Sequence, residues 1–220
     1  MRFKSIYLYI VLGIIIVLTA CNGPSVQEEI FDHLEESVHL EAEFEELQDE
    51  IVALETKEQE IYSQIQDLEK EELEEMKQLS EEAIESIKER SSLVISEKES
   101  IGASQEEFEK VKELIEKLDE QEMKDKAEEM YSVMMDRYES YGLLHETYIE
   151  TLKQEEDLYL LFQNEDLDQE ELSEQITLIN DSYEKILEEN ETFNENTVAY
   201  NTLKEEFYDV ANLDVEFEED

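Results

Sequence analysis

The chain has 220 residues, of which 64 are acidic and only 17 are Lys or Arg, so it carries a formal charge of -47; it has 4 Gly, 1 Pro, 1 Cys and no Trp. Such a chain cannot follow a phosphate backbone, because nucleic-acid affinity comes from Lys and Arg displacing counterions. One Cys permits neither an internal disulfide nor a thiolate metal cluster, and the scarcity of Gly and Pro argues against tight-turned sheets and Gly-rich phosphate loops. What remains is a chain of long helices.

Residues 1–20 hold Arg2 and Lys4 but no acid, then an apolar run from Ile6 to Leu18, then Thr19, Ala20 and Cys21. A basic start, an apolar stretch and small residues are the layout of an export signal. The run is too short for a comfortable membrane span, which needs roughly 20 residues at ~1.5 Å rise each. Its ending, Leu18-Thr19-Ala20-Cys21, resembles the lipobox of bacterial lipoproteins, in which the Cys thiol is joined to diacylglycerol and the chain is cut just before it. On this reading Cys21 is the lipidation site, and two acyl chains meet the two-signal requirement for stable anchoring. Removing residues 1–20 deletes two bases and no acid, leaving 15 minus 64, or -49. Anionic headgroups repel such a body, so it should stand off the outer face of the membrane that exported it. Residues 21–25, with Gly23 and Pro24, read as a lipidated tether.

From Ser25 onward apolar residues recur at the 3-4 spacing of a helix-packing seam. Phe44, Leu47, Ile51, Leu54, Ile61, Ile65 and Leu68 share one heptad frame, with Glu58 its single polar interruption. Around Glu72 and Glu75 the frame slips by about one residue before Leu73, Met76, Ala83 and Ile87 continue it, as a stutter, a kink or a hidden helix boundary would produce. Gly102 reads as a helix C-terminal glycine, and Ser104-Gln105-Glu106-Glu107 as the capping box of a new helix. That helix carries Phe108, Val111, Ile115 and Leu118, shifts, and resumes as Ala127, Tyr131, Met134, Tyr138, Tyr141, His145, Tyr148, Leu152, Tyr159 and Phe162; Gly142 within it is a candidate bend. After the interruption at 164–168, Asp168 offers a second cap. The last seam runs Leu172, Ile176, Ile179, Tyr183, Ile186, Asn190, Phe193, Thr197, Tyr200, Lys204 and Phe207, with Asn190 as a register-fixing polar residue. Short loops force antiparallel neighbours. The expectation is an all-α, elongated up-and-down bundle over residues 26–209, with three helices, or four if the first segment folds back at its phase slip. Residues 210–220 read as a disordered acidic tail.

Candidate chemistry is sparse. His145-Glu146 suggests a zinc-protease helix, but the required second His four residues on is Ile149. His33 and His39 point to different sides of a helix. Asn164, Asp166 and Asp168 imitate the start of a calcium loop, but Gln169 stands in place of the turn Gly and Gln175 in place of the closing Glu, so a helix cap is the better reading. The line Tyr131, Tyr138, Tyr141, Tyr148 and Tyr159 could stack on sugar rings, yet it coincides with the packing seam and reads as core, with Met130, Met134 and Met135 as gap fillers. No catalytic, cofactor or metal residue is assigned.

The lipobox at Cys21, the Asn22-Gly23-Pro24 tether and the acidic, Tyr-bearing helical body together resemble the YkyA-like family of cell-wall-binding lipoproteins of Gram-positive bacteria. The resemblance implies cell-wall association and names no contact residue. The expected protein is a non-enzymatic, lipid-anchored envelope lipoprotein. Its partners would be the membrane, through the anchor, and the wall or an envelope protein. An extracellular divalent-cation-binding role is the alternative, and a wall-acting enzyme is a third reading.

Overall fold

The computed structural model describes residues 23–69 and 72–213; the signal region, Cys21 and the last seven residues lie outside them. Six helices follow in order: α1 (Val26–Leu40), α2 (Ala42–Asp67), α3 (Leu73–Phe108), α4 (Val111–Ile115), α5 (Gln121–Phe162) and α6 (Gln169–Val210). No strand occurs among the described residues. Helices α1 and α2 form one rod broken at Glu41, so four long rods alternate up, down, up and down. Pairs such as Ser100 with Leu40 and Ser86 with Leu54 set α3 antiparallel to the first rod, and Thr147 with Glu189 and Ser182 with Gln154 set α6 antiparallel to α5.

The phase slip near Glu72 is a helix boundary: α2 ends at Asp67, and α3 starts at Leu73 after a short turn. The first seam packs as its spacing predicts, with Ile51, Leu54, Ile61 and Ile65 buried. The boundary expected at Gly102 is not there. α3 runs unbroken to Phe108, and Ser104 is no cap: it is fully buried, its hydroxyl within 2.8 Å of both Glu41 Oε1 and the Tyr138 hydroxyl. A Ser-x-x-Glu pattern caps only where the chain enters a helix, and here the apolar face continues through it. The helix first breaks at Glu109 and Lys110, and the chain leaves the rod at residues 116–120, where the frame shifts beyond Leu118.

The other caps match their chemistry. Ser25 and Glu28 form a capping box at the start of α1, and Asp168 Oδ1 accepts from the Glu170 amide at 2.8 Å. At the far end α6 reaches Val210 and Ala211 is buried, so packed structure extends past Asp209.

Two apolar cores fill the bundle. One, at the pole holding the start of α1 and the end of α6, gathers Ile30, Leu34, Phe108, Met130, Tyr138 and Phe207. The other, at the opposite pole, gathers Ile61, Ile65, Ile87, Leu152, Tyr159 and Phe162. Three of the five tyrosines expected in the core, Tyr138, Tyr141 and Tyr159, are buried; Tyr131 is half-buried and stacks on Phe108 at 5.3 Å, and Tyr148 is half-buried with its hydroxyl on Glu55.

Candidate functional site

Between the two cores the seam turns polar. Continuing the α3 frame from Ala83 and Ile87 through Val94 and Ile101 puts Arg90, Glu97 and Ser104 on the inward face, and all three are buried. On α5 the position between Leu152 and Tyr159 is Glu155, only 2 % exposed. The α2 contribution is Glu58, the polar interruption of its seam.

These groups meet at Arg90, itself 1 % exposed. Its Nη2 donates to Glu58 Oε2 at 2.5 Å and to Glu155 Oε2 through a second short bond. Its Nη1 lies 3.4 Å from the Tyr148 hydroxyl and 3.6 Å from Glu55 Oε1. The Tyr148 hydroxyl donates to Glu55 Oε1 at 2.6 Å, and the Tyr183 hydroxyl to Glu155 Oε1. One guanidinium thus faces three carboxylates. Burial, and then the neighbouring Glu155 charge, pushes Glu58 up to about 7, and burial likewise raises Glu155. Burial works against the Arg90 charge, but Glu155, Tyr148 and Glu58 together hold it above its ordinary value.

A cleft opens beside this network, between α2 and α6, with α3 and α5 as its floor. Its larger chamber, about 420 Å³, is bordered by Glu58, Tyr62, Arg90, Glu155, Tyr159 and Tyr183. A second chamber of about 290 Å³ lies nearer the α1 pole, bordered among others by Gln48, Glu97, Tyr141, His145 and Asn190. There Glu97 accepts a short bond from Gln48, and burial pushes its carboxyl up to about 7. Asn190 is therefore no buried register residue: it is exposed on the chamber wall, where its Oδ1 accepts from Asn194 at 2.7 Å. The α6 seam is less enclosed than its spacing implies because α6 packs closely along α5 and only thinly against α2.

The remaining singled-out residues are scattered. His33 Nδ1 pairs with Glu107 Oε1 at 2.6 Å, His39 is exposed, and His145 is half-buried. Asn164 Oδ1 accepts from the Asp166 amide at 3.1 Å, closing a local turn. Among the described residues no cluster of three His, Cys, Asp or Glu could hold a metal, and no helix is long and apolar enough to cross a membrane.

Glu58 and Glu155 do not have the geometry of a glycosidase pair. Hydrolysis of a glycosidic bond needs two carboxyl groups about 5 to 9 Å apart on either side of it. Here Glu58 and Glu155 both bind the same Arg90 nitrogen, which leaves no room for a sugar bond between them.

The chain can be set beside known proteins. It shares 38% identity over 115 residues with the "Uncharacterized lipoprotein YkyA" of Bacillus subtilis (strain 168), an alignment covering 52% of this chain and 52% of the relative. This chain thus spans about half the length of the curated relative it matches. A crystal structure of a conserved protein of unknown function from Staphylococcus aureus superposes with a TM-score of 0.71 at 13% identity, over 86% of this chain and 98% of that one. That likeness shows the helical fold alone. A family model described as "Putative cell-wall binding lipoprotein" matches residues 25–210, nearly the whole described bundle, and the chain belongs to this YkyA family of lipoproteins.

Proposed function

We propose that the protein is a non-enzymatic envelope lipoprotein, anchored by diacylglycerol on Cys21 at the outer face of the bacterial membrane, whose bundle associates with the cell wall. The observation that carries this reading is the family match over residues 25–210, supported by the Leu18-Thr19-Ala20-Cys21 lipobox ahead of it. The site geometry favours recognition over bond-breaking, since Glu58 and Glu155 are tied to one guanidinium and Glu97 to the Gln48 amide. With 64 acids against 17 bases, direct contact with anionic wall polymers is opposed by charge, so a neutral glycan or an envelope protein is the easier partner.

The test has two arms. Cys21→Ser should release the chain from the membrane fraction, and purified peptidoglycan should retain the full chain with or without calcium. Retention that needs calcium would favour cation bridging by the acidic surface. No retention in either condition defeats wall association.

A further inference from the structure

Two of the buried polar atoms left without a partner among the described residues belong to residues lining the smaller chamber of the cleft. Tyr141, 3 % exposed, and His145 on the same helix both line it, and the buried Tyr141 hydroxyl and His145 Nε2 have no hydrogen-bond partner among the described residues. A buried hydroxyl without a partner costs free energy that a fold does not ordinarily leave uncompensated. Burial, and then the neighbouring Glu97 charge, raises the Tyr141 phenol above its ordinary value, so the hydroxyl keeps its proton.

We propose that this chamber binds one ring of a neutral, hydroxyl-bearing sugar, with Tyr141 and His145 bonding to its hydroxyl or amide groups; this rests on the wall-binding reading above. The lining selects the class. No Lys or Arg lines the chamber and the Glu97 carboxyl does, which disfavours an anionic group there, although Lys98 Nζ stands 5.3 Å from the centre of the Tyr141 ring. Its polar groups are amides, two phenols, an imidazole and a carboxyl, and Phe44 and Phe193 supply the apolar wall that the C–H face of a pyranose needs. A volume of about 290 Å³ is at the small end of ligand pockets, which suits one ring rather than several. The larger chamber continues the cleft roughly 10 Å further along α6, from the Asn190 level to the Tyr183 level. A linear polymer could therefore lie along both. Tyr148 stands between them, lining the smaller chamber while its hydroxyl reaches Glu55 on the border of the larger.

The experiment titrates the tetramer of β-1,4-linked N-acetylglucosamine into the full chain in detergent micelles by calorimetry, alongside the peptidoglycan pull-down. Saturable binding is expected. Tyr141→Phe should weaken it about fivefold, the scale of one neutral hydrogen bond, and Asn190→Trp, which fills the chamber from its exposed wall, should abolish it. Both variants should keep the parent melting temperature to within a few degrees. No saturable binding, or binding that neither substitution changes, overturns the proposal. Retention on peptidoglycan without binding of the tetramer sinks this site and leaves wall association standing. Tetramer binding without retention sinks wall association and leaves the site.

Discussion

Arg137 grips Glu41 at two points, Nη1 to Oε1 at 2.9 Å and Nη2 to Oε2 at 2.7 Å, and so ties the break between α1 and α2 to the middle of α5. Its Nε donates to Thr197 Oγ1 at 2.9 Å on α6, and Ser104 on α3 donates to the same Glu41 carboxylate at 2.8 Å. All four rods meet there. Arg137→Ala strands a nearly buried carboxylate, so it should cost about 3–5 kcal/mol in urea unfolding. A loss within error of zero would show that water satisfies Glu41 unaided.

Gly102 lies inside α3, with nothing within 4 Å of a Cβ placed there and no positive φ. Gly102→Ala should therefore stabilise the protein by about 0.5–1 kcal/mol, through helix propensity and a less flexible unfolded chain. A glycine ending a helix in the left-handed region would respond with a loss, so the sign of the change in melting temperature discriminates.

Stability should depend on pH through the buried acids. Glu58 and Glu97 titrate from an ordinary 4.5 up to about 7 in the fold, so folded protein holds protons that unfolded chain releases. Their contribution is complete below pH 4.5, is lost as pH rises through about 7, and then levels. Glu28, held low chiefly by the Ser25 backbone amide, and Glu107, held low chiefly by Lys110, act in the opposite sense at lower pH. Thermal melts from pH 5 to 8 should show a falling midpoint, and Glu58→Gln should flatten the slope. A midpoint that climbs over that range contradicts the assignment.

With 17 bases spread among 64 acids, most surface carboxylates have no cation near them. Added salt shortens the range of their mutual repulsion to about 10 Å at 0.1 M. Raising sodium chloride from 10 to 300 mM, or adding millimolar calcium, should raise the melting temperature. A fall would mean that ion pairs such as Lys126 with Glu206 outweigh the repulsion.

The fold was legible where apolar spacing is regular. The seam of Ile51, Leu54, Ile61 and Ile65 and the slip near Glu72 were readable because a packed helix must present one face, and a changed frame must mean a changed helix. The site was harder to read because it is built from the seam's exceptions. Glu58 stood out as a polar residue in an apolar frame, but Arg90 and Glu155 were hidden, since long charged side chains are ordinarily solvated and nothing local says that they face one another. Carrying the frame through polar positions would have found all three. Ser104 misled for a related reason: its sequence neighbours match a cap, whereas its partners, Glu41 and Tyr138, are 63 and 34 residues away.

The alternation of the rods fixes more than packing. Ser25 sits at the pole where Tyr208 donates to Glu35 at 2.6 Å, and the ends of α2 at Asp67 and of α5 at Phe162 sit at the other. Counting ~1.5 Å per residue from Ser25 along α1 and α2, Gln48 stands roughly 35 Å and Gln59 roughly 50 Å from that pole. With the rod upright, a molecule moored at Cys21 would hold its recessed slot at that altitude above the lipid, beyond the headgroups and within reach of whatever mesh surrounds the cell.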